Sequence, residues 1–174
     1  MDIRAALLQE HSKAMTLNIT NYIGGSQQRF DKLMDLFLND EYRIVQRSGW
    51  VVSHVGERYP KLMTPHIKEC IAYLDNSPHD AVKRNILKVL SMVEIPEEHQ
   101  GLLVDKCFKF LYDPKEPIAT HVFAMQCIFE IGKKEPDLFY ELKQILEENY
   151  ENGSAGYKSR AKRILKYINQ TVND

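Results

Sequence analysis

Apolar residues recur at intervals of three and four along most of the chain, in segments that short polar loops separate. This spacing puts the apolar side chains on one face of a helix, so it predicts amphipathic α-helices. Alternating apolar and polar residues between hairpin signals, which would predict strands, are not found in the sequence. A helical pattern follows each of the polar loops "NDE", "DNSPHD", "YDPKEP" and "NGSAG". The pattern therefore predicts an all-α chain.

One helical segment is repeated along the chain. Alignment on Arg47 places Arg84, His121 and Arg160 at equivalent positions, in steps of 37, 37 and 39 residues. In each of the first three copies a second amphipathic helix follows, and a proline lies between the two helices, where the chain must leave one helix and enter the next. Gly24-Gly25 predicts the turn inside an earlier helix pair. The sequence thus predicts four helix pairs and a final lone helix.

These copies predict a single domain. One helix pair cannot bury its apolar stripe alone, so neighbouring copies must stack and share a core. The predicted pairs cover residues 12–40, 41–77, 78–115 and 116–152, and a capping helix covers residues 153–174.

The segment "DNSPHDAVKRNILKVL" resembles the HEAT repeat, with a loop aspartate, then Val-Lys-Arg, then an aliphatic stripe. The chain is similar to HEAT-repeat and armadillo-like α-solenoids, including small bacterial HEAT-like proteins. The resemblance implies a right-handed α-α superhelix, and it implies a ladder of aspartates and arginines between neighbouring repeats. The ladder positions are Asp40 with Arg47, and Asp75 or Asp80 with Arg84, whereas His121 departs from the pattern and Arg160 lacks the aspartate.

The repeated column of Arg47, Arg84, His121 and Arg160 has two interpretations. It could be a stripe that binds phosphate groups. We expect a structural role instead, in which each side chain satisfies a loop carboxylate or a carbonyl group of the neighbouring repeat.

Composition and charge limit the functional classes. The net charge is -1, with 44% hydrophobic and 27% charged residues, so no global basic field would hold nucleic acid by itself. No apolar run approaches the ~18 residues that a membrane span requires. Asp2, Arg4 and Glu10 interrupt the amino-terminal pattern, which is unlike a signal peptide. We therefore expect a cytoplasmic protein without a membrane segment.

Candidate chemistry is sparse in the sequence. Cys70, Cys107 and Cys127 lie in helical patterns without CxxC spacing, so we expect buried, reduced thiols. The six histidines show no HExxH or HxH spacing, and neither a GxSxG motif nor a glycine-rich phosphate loop occurs. The sequence predicts no catalytic residue, no cofactor and no metal site.

The function that the pattern favours is protein binding without catalysis, as a scaffold or adaptor. Stacked pairs would form a concave surface lined by the second helices, which suits a protein segment. Helical phase predicts that this surface presents Lys68, Lys106, Lys109, Lys143 and Gln144 to the partner.

The alternative function is nucleic-acid binding. The last helix, "YKSRAKRILKYIN", combines basic residues with tyrosines, as nucleic-acid surfaces often do. The resemblance also extends to HEAT-like glycosylases for alkylated DNA, which share the architecture. The candidate contacts are Lys158, Arg160, Lys162, Arg163 and Lys166. Binding to a labelled duplex at two salt concentrations would separate the two functions.

Overall fold

The described part of the chain is helical throughout. The computed structural model describes residues 1–75 and 80–171, and these residues form helices and no β-strand. This confirms the all-α prediction. In the same ranges, no helix has both the length and the apolar character needed to cross a membrane.

The helices belong to two compact units, Met1–Pro96 (unit 1) and Glu97–Asp174 (unit 2). Unit 1 contains α1 (Ile3–Gln9), α2 (Lys13–Ile23), α3 (Gln27–Asn39), α4 (Tyr42–Arg58), a 3-10 helix (Pro60–His66), α5 (Ile67–Tyr73) and α6 (Asp80–Leu90). Unit 2 contains α7 (Glu97–Tyr112), α8 (Ile118–Gly132), α9 (Leu138–Tyr150) and α10 (Ala155–Thr171).

The described helices can be assigned in chain order to the predicted pairs, and the pairing itself stays a prediction. The assignment is α2 with α3, α4 with the 3-10 helix and α5, α6 with α7, and α8 with α9, while α10 corresponds to the predicted cap. Helix α1 precedes the first predicted pair. The boundary between the units lies between α6 and α7, within the third predicted pair.

Local side chains determine where the first helices begin. Asp2, Ser12 and Ser26 each accept a hydrogen bond from the backbone N–H three residues later, at 3.0, 3.1 and 3.4 Å. Such N-caps satisfy a donor that has no partner within the helix. Gly24 has a φ of 52° and donates its N–H to the Thr20 carbonyl, which ends α2. The left-handed backbone explains why glycine stands at the predicted turn.

Helix α4 is the centre of unit 1, where it packs against α1, α2, α3, the 3-10 helix and α6. Two glycines allow α6 to approach it closely. A Cβ at Gly49 would overlap the side-chain amide of Asn85, and a Cβ at Gly56 would lie 3.2 Å from Cγ1 of Val89. Both partners lie on the buried face of α6. The glycines in the repeated segment are therefore required for packing between two first helices.

Helix α8 is the centre of unit 2 and packs against α7, α9 and α10. An aromatic cluster joins three of these helices: Phe129 of α8 stacks on Phe139 of α9 at 6.0 Å and meets Tyr167 of α10 edge-on at 5.0 Å. A Cβ at Gly132 would overlap the Phe139 ring, so this glycine provides the space in which the ring lies.

Candidate functional site

Arg47, the residue on which the repeats align, binds backbone carbonyl groups at the end of α1. Its Nη1 donates to the carbonyl oxygens of Leu7 at 2.6 Å and Leu8 at 3.1 Å. Carbonyl groups in the last turn of a helix have no partner within it, and a cation there also interacts favourably with the helix dipole. Arg47 thus attaches α1 to α4.

The predicted pairing of Asp40 with Arg47 is corrected by the structure. Asp40 instead accepts two hydrogen bonds from Arg4, from Nε at 2.8 Å and from Nη2 at 3.0 Å. The bonds from Arg4 and the backbone N–H of Glu41 lower the pKa of Asp40. Because α1 lies beside the loop between α3 and α4, its arginine reaches the aspartate, while Arg47 binds the carbonyl groups of the same helix.

The other members of the column have varied contacts. His121 donates from Nε2 to the Asp113 carbonyl at 3.0 Å, again just beyond the end of a helix. Arg160 donates to the side-chain oxygen of Gln126 at 2.5 Å. Burial, followed by the charge of Arg163, lowers the pKa of Arg160.

The Arg84 ladder stays a prediction. Asp80 and Arg84 are both exposed on α6. Residues 76–79, which precede them and include part of the predicted loop, lie outside the described residues.

We expect the substitution Arg47→Ala to lower the free energy of unfolding of unit 1 by about 1.5–3 kcal/mol, since hydrogen bonds to a charged donor are lost. Amide hydrogen exchange of α1 should accelerate, and mass spectrometry of peptides covering residues 3–9 measures this. Arg43→Ala, an exposed arginine one turn earlier on α4, is the matched control. Equal exchange of α1 in both variants would contradict the assigned role.

The residues predicted to contact a partner differ in exposure and belong to both units. Lys109 of α7 and Gln144 of α9 are exposed in unit 2, and Lys68 of α5 is exposed in unit 1. Lys143 is half-buried, with its Nζ 3.9 Å from a carboxylate oxygen of Glu147. Lys106 is only 6% exposed. Its prediction as an outward residue is therefore wrong, because Lys106 lies at the buried edge of α7, one position beyond the exposed stripe.

Within unit 2, the end of α7 is linked to α9 by a hydrogen bond between exposed side chains. Tyr112 of α7 donates its hydroxyl to Oε1 of Glu141 at 2.9 Å. That hydrogen bond, then burial and the charges of Glu141 and Glu148, raises the pKa of Tyr112. We call this surface the α7/α9 face; helical phase with Tyr112 and Glu141 assigns to it the exposed residues Leu102, Asp105 and Lys109 on α7, and Gln144 and Glu148 on α9.

Sequence reasoning missed Tyr112 and Leu102 of this face. Aromatic and aliphatic residues in a helical pattern are usually assigned to the core, yet these two are exposed. Helical phase could have predicted their exposure, because Tyr112 follows Asp105 and Lys109 on the same side of α7.

A family model described as HEAT repeat domain matches residues 3–168, which include all four helix pairs. The chain belongs to the HEAT repeat family. HEAT repeats are commonly protein-interaction scaffolds. No curated protein and no solved structure matches the chain.

The basic residues of α10 are divided between two sides of this last HEAT helix. Lys158 lies 5.9 Å from the Tyr150 ring centroid, and Lys162 and Lys166 line a surface cavity together with two glutamates of the α9 end, Glu147 and Glu151. Arg160, in contrast, reaches Gln126 of α8, and Arg163 acts on its pKa. The acidic neighbours reduce the attraction that the three lysines would exert on phosphate groups.

The cysteines are the side chains of this HEAT protein most able to do chemistry, and their surroundings indicate a structural role. Cys70, Cys107 and Cys127 are buried and form no disulfide. Burial raises the pKa of Cys70 to about 12, so its thiol is protonated at neutral pH. Among residues 1–75 and 80–171, no three His, Cys, Asp or Glu side chains are grouped as a metal site would require. His79 lies outside those ranges.

Proposed function

We propose that the chain is a non-catalytic protein-binding scaffold of the cytoplasm that holds a segment of its partner on the α7/α9 face. The observation that supports this is the exposure of Leu102 and Tyr112 on one stripe of α7, where they are 54% and 61% exposed. Exposed large apolar and aromatic side chains are typical of protein-binding surfaces, where tyrosine is enriched. Family membership supports the same class of function.

The polar residues of the face suit this function as well. Lys109, one turn from Tyr112 on α7, and Gln144 on α9 are both exposed, and both were predicted from helical phase. Polar groups beside exposed apolar side chains are usual in an interface. Two neighbouring exposed helices accommodate an amphipathic helix or an extended segment.

The cysteines support the proposed compartment. Thiols that stay free are usual in the reducing cytoplasm, whereas secreted domains of this size commonly pair them. All three are buried and form no disulfide.

Site-specific photo-cross-linking tests the proposed surface. A benzophenone amino acid replaces Gln144 on the α7/α9 face, and in a second variant it replaces Ser159 on α10, which is exposed in the same unit. After irradiation in the native cell, we expect a discrete cross-linked protein with the probe at position 144. The probe at position 159 should give none.

Two results would contradict the proposal. One is an equal yield of the same adduct from both positions, which indicates random collision. The other is an adduct with the probe at position 159 only, which would move the interface to α10.

We expect no measurable binding of a labelled DNA duplex at ~50 mM salt, where phosphate contacts are strongest. Lys162 and Lys166 share their surface with Glu147 and Glu151, so no strong positive field develops there. Fluorescence anisotropy measures this. Binding that weakens steeply between ~50 and ~200 mM salt, and that the double substitution Lys162→Glu and Lys166→Glu abolishes, would instead support the nucleic-acid alternative.

A further inference from the structure

We infer that the segment bound by the α7/α9 face is basic and carries arginine beside aliphatic residues. This inference rests on the proposed function and specifies the chemistry of the partner. It follows from how the carboxylates of α9 are paired, from the aromatic side chains next to them, and from the contrast with unit 1.

The carboxylates on the two sides of α9 have different partners. On the side toward α10, Glu147 lies 3.9 Å from the Lys143 ammonium group and shares a cavity with Lys162 and Lys166. On the α7/α9 face, Glu141 accepts from the Tyr112 hydroxyl at 2.9 Å, and Glu148 accepts from the Gln144 amide at 3.0 Å. Neutral donors hold these two carboxylates in place and leave their negative charge uncompensated.

The charge of the face as a whole is negative. Asp105, Glu141 and Glu148 are exposed there, and Lys109 is its one cation. A basic segment therefore complements the surface, and complementary charge determines which partners associate and how fast they do so. An acidic segment would meet three like charges.

Tyrosine beside carboxylate favours arginine over lysine. A guanidinium group binds a carboxylate through two parallel hydrogen bonds and also stacks on an aromatic ring, whereas an ammonium group is a point charge. Tyr112, 61% exposed, presents its ring next to Glu141, to which its hydroxyl donates. Leu102 is exposed on the same stripe of α7, so it provides an apolar contact for an aliphatic residue of the segment.

The second helices of unit 1 have mixed charge and so provide a comparison. Exposed Arg29 and Lys32 of α3 alternate with Asp31 and Asp35, and Lys68 of α5 precedes Glu69. An acidic face with aromatic side chains is thus a feature of unit 2, and carboxylates of unit 1 provide control substitutions.

The test measures peptide binding to the full chain. The probe is a fluorescein-labelled peptide of about 12 residues, about 18 Å long as a helix, in which arginine and leucine recur at helical spacing. Its counterparts carry lysine or glutamate in place of arginine. We expect binding in the order arginine, then lysine, with none for glutamate, and shifts of the α7 and α9 amide resonances in ¹⁵N-labelled protein.

Charge reversal on the face should remove this binding. Glu141→Lys with Glu148→Lys is expected to weaken binding of the arginine peptide about tenfold or more. Glu57→Lys with Glu69→Lys makes the same change in net charge at exposed positions of unit 1 and should leave affinity unchanged within about twofold. Circular dichroism confirms that both variants fold.

The possible negative results distinguish a failure of the basic-partner inference from a failure of the proposed scaffold function. Equal loss of binding in both double variants would overturn the inference, because it would show attraction to net charge alone. Equal binding of the glutamate peptide would do the same. If the probe at position 144 still cross-links a protein while the arginine peptide does not bind, the scaffold function stands and the basic partner is refuted.

Discussion

Replacing Phe139 with alanine is expected to lower the free energy of unfolding of unit 2 by about 3–5 kcal/mol, the usual cost of emptying a phenylalanine site in a core. Phe139 is buried, stacks on Phe129 and contacts Tyr167 edge-on at 6.0 Å. Its loss therefore loosens α8, α9 and α10 together. Native-state hydrogen exchange of the amides in these helices measures the change.

Gly132 provides a double-mutant cycle for this site. In the natural chain, Gly132→Ala should cost about 1–3 kcal/mol, because the new methyl group overlaps the Phe139 ring. In the Phe139→Ala background it should be neutral or stabilising by up to ~1 kcal/mol, as expected from helix propensity. Gly101→Ala, where a Cβ meets no atom within 4 Å, is the control without overlap. An equal cost of Gly132→Ala in both backgrounds would contradict the described packing.

The second large effect is expected in unit 1, where Gly49→Val should lower the free energy of unfolding by about 3 kcal/mol. The new Cβ would overlap the buried Asn85 amide and lie 3.1 Å from Cε2 of Phe37, and the branched methyl groups have few alternative rotamers in a helix. Trp50, the single tryptophan, is adjacent in α4. Its fluorescence during denaturant unfolding therefore reports on this unit.

The milder substitution Gly49→Ala tests whether the Asn85 side chain is the group that a Cβ at position 49 overlaps. Combined with Asn85→Ala, it should cost less than the sum of the two single substitutions, since the overlapping amide is then absent. Simple additivity of the two costs would indicate that α4 and α6 are not in the close contact described for unit 1.

Much of the fold could be predicted because helical periodicity and loop composition are local signals. The turn at Gly24-Gly25 required a left-handed residue, and the structure has φ 52° at Gly24. The column was a harder case. The acceptors of Arg47 are backbone carbonyl groups of α1, and no residue type in the sequence identifies a carbonyl acceptor.

The site was less predictable because it depends on small differences in helical phase. Lys106 is one position away from the exposed stripe of α7 and is buried, while Lys109, three residues later, is exposed. Tyr112 follows the apolar pattern in sequence, yet it lies at the solvent side and bonds to Glu141. The sequence therefore predicted lysines as the partner contacts, whereas the structure has carboxylates and tyrosine at this surface.

The most direct test of the central claim is hydrogen–deuterium exchange of the full chain with and without the protein that cross-links at position 144. If the α7/α9 face holds the partner, amides of α7 and α9 should exchange more slowly in the complex, while those of α8 and α10 should be unchanged. Slower exchange in α8 and α10 with none in α7 and α9 would contradict the assignment of this face as the binding surface.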